Sequence, residues 1–306
     1  MTIRKNVLVL GGTGLLGSQF VNFYSKKLGY HVVSLARKGA DVECDISNSN
    51  EFRATLEHLK PDVIINCAAL VDINICEQHA NESWSVNVQP LFVLHEWSRN
   101  VDFKLIHVST DHFFDYGGAE VHSEKDPVSF KNIYAKHKYC AEQIASLIPG
   151  AMILRTSILG ESNYGTDRSV FWEWALDAVM YDKKVSLFFD AFTSSIDIFN
   201  FCDLTNQLLE KNATGLLNLA SSEVYSKKDL VLALAARLDR QLSSVKIASV
   251  KQLEISRATC LGLDVTKVEN ILGLKMPNLD QVITSLLEHS ERVNEKHCSD
   301  TSQRWQ

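Results

Sequence analysis

Proline is scarce in this chain, five in 306 residues, and no internal repeat or low-complexity segment interrupts it. Proline-rich linkers and repeat arrays are therefore excluded. Cysteine is thin and unpatterned: the seven stand at positions 44, 67, 76, 140, 202, 260 and 298, an odd number with no Cys-x-x-Cys. That spacing argues against a disulfide framework and a zinc site, so no metal is expected. Long apolar runs are missing as well. The stretch Val7–Leu10 passes straight into glycines without a cleavage pattern, so the expectation is a cytoplasmic protein with no membrane partner. Basic excess is absent too: 31 Lys+Arg against 37 Asp+Glu, dispersed, give a net charge of −6. A nucleic-acid surface has no support, whereas a small anionic ligand needs only a local pocket. What remains, at 45% hydrophobic and 22% charged residues, is a packed globular enzyme or binding protein.

The first half alternates short β-branched runs with amphipathic stretches. Strands are predicted at Val7–Leu10, His31–Leu35, Val63–Cys67, Lys104–Val108 and Met152–Arg155, and helices at Leu15–Leu28, Glu51–Leu59, Glu82–Ser98 and Tyr134–Leu147. This is a βαβ series, so the fold class expected is α/β, a Rossmann-like doubly wound parallel sheet with its site at the carboxyl ends of the strands. Past residue 157 the alternation becomes less regular, with helical stretches at Val170–Tyr181, Phe201–Glu210, Lys227–Leu238 and Asn278–Leu287 and a strand at Val185–Phe188. The organisation read from this is a dinucleotide-binding domain over 1–157, to which later strands can return, a smaller α/β substrate-binding lobe over 158–290, and a polar tail over 291–306.

Gly11-Gly12-Thr13-Gly14-Leu15-Leu16-Gly17 follows the first strand and opens the first helix. Glycines permit the tight turn and a close backbone approach to a pyrophosphate, and the free amides of the helix start face the anion. At the end of the second strand, Ala36 stands where an acid would hold the ribose hydroxyl of NAD, and Arg37-Lys38 follow. Arg37 suits the 2′-phosphate of NADP, so NADP(H) is favoured over NAD(H).

Tyr134 alone among eight tyrosines has a lysine four residues on, Lys138. One helical turn puts both on one face, where an ammonium would lower the phenol towards a useful acid–base range. Ser109-Thr110-Asp111, after the strand Lys104–Val108, offers a hydroxyl to bond the reacting oxygen.

These elements, with Pro61–Ala69, Val71-Asp72, Cys76-Glu77, Val86-Asn87, Val108–Asp115, Leu154-Arg155-Thr156-Ser157, Gly215–Asn218 and Ser256-Arg257-Ala258, resemble the extended short-chain dehydrogenase/reductase superfamily, and within it the dTDP-4-dehydrorhamnose reductases, over roughly residues 5–288. The resemblance implies that Gly14, Leu15 and Leu16 touch the pyrophosphate, that Asp45 and Ile46 flank the adenine, and that Ala68, Ala69 and Leu70 border the nicotinamide. It implies Tyr134 as proton donor, Lys138 as its activator and ribose ligand, Thr110 as the hydroxyl that orients the carbonyl, Asp111 against the sugar and Arg257 on a nucleotide diphosphate. The function implied is NADPH-dependent reduction of the 4-keto group of a nucleotide-linked 6-deoxysugar, in a possible homodimer. Departures are visible. Ala258 replaces a proline, Ile158-Leu159 stands where a tryptophan would meet the sugar, Asp190–Ser195 lacks the usual Gly and Pro, and His112 follows Asp111 where a dehydratase would need Glu. Dehydration is disfavoured and the sugar is left open.

A non-catalytic cofactor-binding subunit, resembling that of methionine adenosyltransferase, is the alternative; Arg257 and the intact Thr110 favour the enzyme. The histidines at 107, 112, 122 and 137 match no ligand spacing, Asp72 and Glu77 read as a solvated loop, and Trp172 and Trp174 diverge around their helix, so that one can line a pocket while the other packs.

Overall fold

The computed structural model describes residues 4–116, 118–162, 170–253, 255 and 257–290; the expected polar tail and Ser256 lie outside the described residues. In chain order the first half comprises β1 (Lys5–Leu10), α1 (Leu15–Ser25), β2 (Tyr30–Ala36), β3 (Val42–Glu43), α2 (Ser49–Leu59), β4 (Val63–Asn66), α3 (Ile73–Gln78), α4 (Ala80–Asn87), α5 (Gln89–Trp97), β5 (Lys104–Val108), β6 (Val121–His122), α6 (Ile133–Ala145) and β7 (Met152–Arg155). The second comprises β8 (Ile158–Leu159), α7 (Phe171–Met180), β9 (Val185–Phe188), β10 (Phe192–Thr193), β11 (Ile196–Asp197), α8 (Ile198–Glu210), β12 (Gly215–Asn218), β13 (Tyr225–Ser226), α9 (Lys227–Arg237), β14 (Val245–Ala248), β15 (Cys260–Leu263), α10 (Thr266–Leu272) and α11 (Leu279–Glu288).

Seven parallel strands form the central sheet in the order β12-β7-β5-β4-β1-β2-β3. This is the α/β doubly wound architecture expected from the alternation. The order reverses between β1 and β4, and the crevice at their carboxyl ends is where such sheets receive ligands. Both faces are covered. One core gathers Val7, Val9, Phe20, Val63, Ile65 and Phe201, and the other Leu8, Leu10, Phe52, Ile64, Leu91 and Leu105, so alternate residues of the same strands feed opposite layers. A third core, including Trp172, Leu176, Leu187, Leu230 and Ile283, joins α7, β9, α9 and α11. Beside it lies a smaller sheet ordered β13-β10-β15-β6.

Three features differ from the local pattern. The periodic stretch Glu82–Ser98 is broken at Val88, and Pro90 occupies the first turn of α5, where its missing amide costs nothing. α1 stops at Ser25, because Gly29 at φ +85° turns the chain into β2 and leaves Leu28 exposed. β12 comes from the irregular second half yet pairs with β7 in the central sheet, and α8 packs beside α1.

Between β7 and α6 lies a buried ion pair. Arg155 Nε and Nη2 donate to Glu142 Oε1 and Oε2 at 3.0 and 2.9 Å, and the Ser109 hydroxyl donates to the same carboxylate at 2.6 Å. The guanidinium lies 4.8 Å from the Phe113 ring centroid. Removing one partner would strand a buried charge, which typically costs about 3–5 kcal/mol, whereas removing both costs far less. Glu142→Leu and Arg155→Met should each lower urea stability by about that amount, and the double variant should recover most of it. Additive losses in the double variant would contradict this reading.

Candidate active site

The glycine loop is shaped by contacts that only hydrogen can make. Gly11 sits at φ +75°, and a Cβ there would lie 2.9 Å from the Ala68 backbone. At Gly17 a Cβ would fall 2.1 Å from Gly11 O. Gly14 caps α1 in an extended conformation without a side-chain hydrogen bond, so the first-turn amides have no side-chain acceptor. Leu15, Leu16 and Gly17 line a cavity there.

Two cavities meet at Thr13, Gly14, Cys67 and Ala69. The first, of about 670 Å³, runs from Gly11 past Ala36, Arg37 and Lys38 to Asp45, Ile46, Ala68 and Leu70. Arg37 and Lys38 are exposed at its mouth. The Leu70 turn is held by Asn87, whose Oδ1 accepts from the Leu70 amide at 2.8 Å and whose Nδ2 donates to the Leu70 carbonyl at 3.0 Å. Glu82 and Val86 of α4 also line this cavity. In the sequence Val86 marks only the resemblance and Glu82 carries no expectation, because only the fold brings α4 to this cavity.

The second cavity, of about 530 Å³, brings Thr110, Asp111, His112, Tyr134 and Lys138 together with Thr156, Ser157 and Ile158. α6 presents Tyr134 and Lys138 because its start is fixed twice: Asn132 Oδ1 accepts from the Ala135 amide at 2.9 Å, and Glu77 Oε1 accepts from Ile133 at 2.6 Å. Asp72 caps α3 through the Asn74 and Ile75 amides. The expected solvated loop at Asp72 and Glu77 is thus a helix whose acids anchor backbone.

Lys138 Nζ donates to Val108 O at 2.7 Å, and burial lowers its ammonium to about 8. The four-residue spacing predicts that this lysine lowers the Tyr134 phenol. Burial instead pushes the phenol well above its ordinary value, against a hydrogen bond with Thr110 and with the Asp111 charge adding to the rise. Tyr134 therefore holds its proton throughout the neutral range. Burial raises the Asp111 carboxyl to about 7 and lowers His112, packed edge-on to the Tyr134 ring, to about 4.

Arg257 lines neither cavity. It stands close enough for its charge to act on His112, with Nε buried and unpartnered among the described residues. Trp172 is fully buried, while Trp174 borders a smaller cleft with Phe171, Phe188 and Lys227. His107 contacts Asn66, His122 stacks on Phe114 and His137 bonds Ser83. Among the described residues, no group of three or more His, Cys, Asp or Glu is placed to hold a metal, and no helix is long and apolar enough to cross a membrane.

The RmlD substrate binding domain family matches residues 5–292. Over 290 residues the chain is 26% identical to the probable low-salt glycan biosynthesis reductase Agl14 of Haloferax volcanii, covering 91% of this chain and 96% of that one. Over 162 residues it is 30% identical to the spore coat polysaccharide biosynthesis protein SpsK of Bacillus subtilis, and this match covers 52% of this chain and only 56% of the relative. The solved dTDP-4-dehydrorhamnose reductase of Bacillus anthracis in complex with NADP shares the fold, with a TM-score of 0.82 at 19% identity over 94% of this chain and 100% of that one.

The loop and the paired cavities fit a nicotinamide dinucleotide. A Cβ at position 17 would push the start of α1 off the loop, so Gly17→Ala should weaken binding of a reduced nicotinamide dinucleotide by about tenfold or more, read by fluorescence titration. Unchanged affinity would show that the loop does not carry the cofactor.

Proposed function

The chain belongs to the RmlD substrate binding domain family, and from that premise we propose that it reduces the 4-keto group of a nucleoside-diphospho-6-deoxysugar with NADPH. The observation that carries this reading is the convergence of Thr110, Tyr134 and Lys138 on one cavity whose other wall is the glycine loop.

Each residue has a task set by its surroundings. Thr110 and Tyr134 offer hydroxyls to the carbonyl oxygen, and Tyr134, held protonated by burial, gives up its proton as the oxygen gains negative charge. Lys138, on the same helix face, is within reach of a cofactor ribose and supplies the positive charge that compensates a phenolate. Gly14, Leu15 and Leu16 hold the pyrophosphate, Asp45 and Ile46 the adenosine, and Ala68, Ala69 and Leu70 the nicotinamide side. When bound, the cofactor supplies hydride to the carbonyl carbon. Asp111 and Ile158 border the sugar, and Arg257 serves the diphosphate. Ile158 gives an aliphatic wall instead of an aromatic face, so several 4-keto sugars should turn over.

The preference for NADPH rests on Ala36 and Arg37. An acid at position 36 would repel a 2′-phosphate, while Arg37 at the cavity mouth offers a charge-assisted partner worth about 1.5–3 kcal/mol, or roughly tenfold or more in affinity. Arg37→Ala should therefore remove most of the calorimetric preference for NADP(H) over NAD(H). Equal affinities in the unaltered protein would place Arg37 in solvent.

Tyr134→Phe should lower turnover of a 4-keto sugar nucleotide by roughly 10²–10⁴, with cofactor affinity nearly intact. Near-normal turnover in that variant would remove Tyr134 from the chemistry. NADPH binding without turnover on any such sugar by the unaltered protein would instead support the binding-subunit reading.

A further inference from the structure

Ser157 lines the catalytic cavity between Thr156 and Ile158. β8 and β11 run parallel with Ile158 opposite Ile196, and the Ile196 amide donates to Ser157 O at 2.9 Å, so the register sets Ser157 beside Ser195. Their hydroxyls lie 2.8 Å apart. Ser195 Oγ is in turn 2.9 Å from Thr193 Oγ1, and Thr193 donates to Asp111 Oδ2 in the longest link, 3.4 Å. Thr110 donates to the other carboxylate oxygen, also at 3.4 Å. Thr193, Ser195 and Asp111 are buried, and their backbone is pinned to the smaller sheet. Tyr225 OH donates to Ser195 O at 2.7 Å, and Ser194 accepts from the Leu263 amide at 3.0 Å through Oγ and from the Ser221 amide at 2.8 Å through its carbonyl. The segment Asp190–Ser195, which lacks the Gly and Pro usual among the dTDP-4-dehydrorhamnose reductases, thereby supplies two side-chain hydroxyls to this chain of contacts.

A hydroxyl has one proton to donate, and that count decides every direction in the chain. An ionised carboxylate can only accept, so the Thr193 proton goes to Asp111. Thr193 must then accept from Ser195, and Ser195, whose proton is now committed, must accept from Ser157. Hydrogen bonds aligned in one sense polarise and strengthen one another. Ser157 is left with lone pairs, and no proton, to offer the cavity.

We infer that Ser157 is a specificity-determining residue that accepts a hydrogen bond from a hydroxyl of the sugar, and that Thr193 and Ser195 are positioning residues that commit its own proton elsewhere. This rests on the nucleotide-sugar reading above and deepens it. A sugar carrying a hydroxyl at that place satisfies Ser157. A group that can only accept sets lone pair against lone pair and is rejected, because a polar group covered by the ligand without a partner is costly.

Steady-state kinetics of the intact protein at pH 8, where the Asp111 carboxyl is mostly ionised, test this with a nucleoside-diphospho-4-keto-6-deoxysugar and its 2- and 3-deoxyfluoro analogues, whose fluorine replaces a hydroxyl without a proton. Intrinsic reactivity cancels when the preference for hydroxyl over fluorine in kcat/KM is compared between variants. At one of the two positions that preference should fall about tenfold in Ser157→Ala, with NADPH affinity unchanged in fluorescence titration. Ser195→Ala and Thr193→Val should lower the same preference, since either leaves Ser157 a proton to donate, whereas Thr193→Ser should keep it. An unchanged preference at both positions in Ser157→Ala, or a loss carried by NADPH affinity, would overturn the assignment of Ser157 to the sugar. A fall in Ser157→Ala with none in Ser195→Ala and Thr193→Val would overturn the part given to the chain. Absence of turnover of any such sugar by the unaltered protein would count against the nucleotide-sugar reading and overturn this inference with it.

Discussion

The buried pair between Glu142 and Arg155 is the contact on which the site's geometry depends. Tyr134, Lys138 and Glu142 are spaced four residues apart on α6 and form one stripe along the helix. Glu142 is held by Arg155 of β7 and by Ser109, Lys138 by the Val108 carbonyl at the end of β5, and Tyr134 by Thr110. The ion pair fixes the rotation of the helix about its axis, and that rotation aims the phenol into the cavity. A buried charge pair is a poor source of net stability, yet it leaves few alternative ways to dock the helix. The site is thus assembled by a contact whose members, Glu142 and Arg155, line neither cavity.

Much of this was legible in the residues. The glycine loop announces itself through spacing, because the steric demand of a tight strand-to-helix turn admits few side chains, and the contacts at Gly11 and Gly17 show why. Tyr134 and Lys138 could be picked out since their four-residue spacing is itself the geometry. What stayed hidden was set by distant partners. Nothing local to Glu142 or Arg155 marks them as a pair, and nothing in Gly215–Asn218 says that the strand returns to the central sheet beside β7. The break at Val88 had a local sign in Pro90, but the apolar periodicity on either side masked it. The expected influence of Lys138 on Tyr134 was outweighed by a quantity no spacing reports, the desolvation of a buried phenol.

Electrostatics divides the molecule's two halves by task. The central sheet and α6 contribute hydroxyls, a lysine bound to a carbonyl, and a buried carboxylate just after β5. The smaller sheet and its helices contribute cations in Lys227 and Arg257.

The most direct measurement follows the hydride. With NADPH carrying deuterium at the transferable position of C4 and a nucleoside-diphospho-4-keto-6-deoxysugar as acceptor, the product sugar should be one mass unit heavier, with the label on its own C4, and cofactor consumed should equal label transferred. An unlabelled product, or cofactor left intact in the presence of the sugar, would contradict assignment of this site to carbonyl reduction.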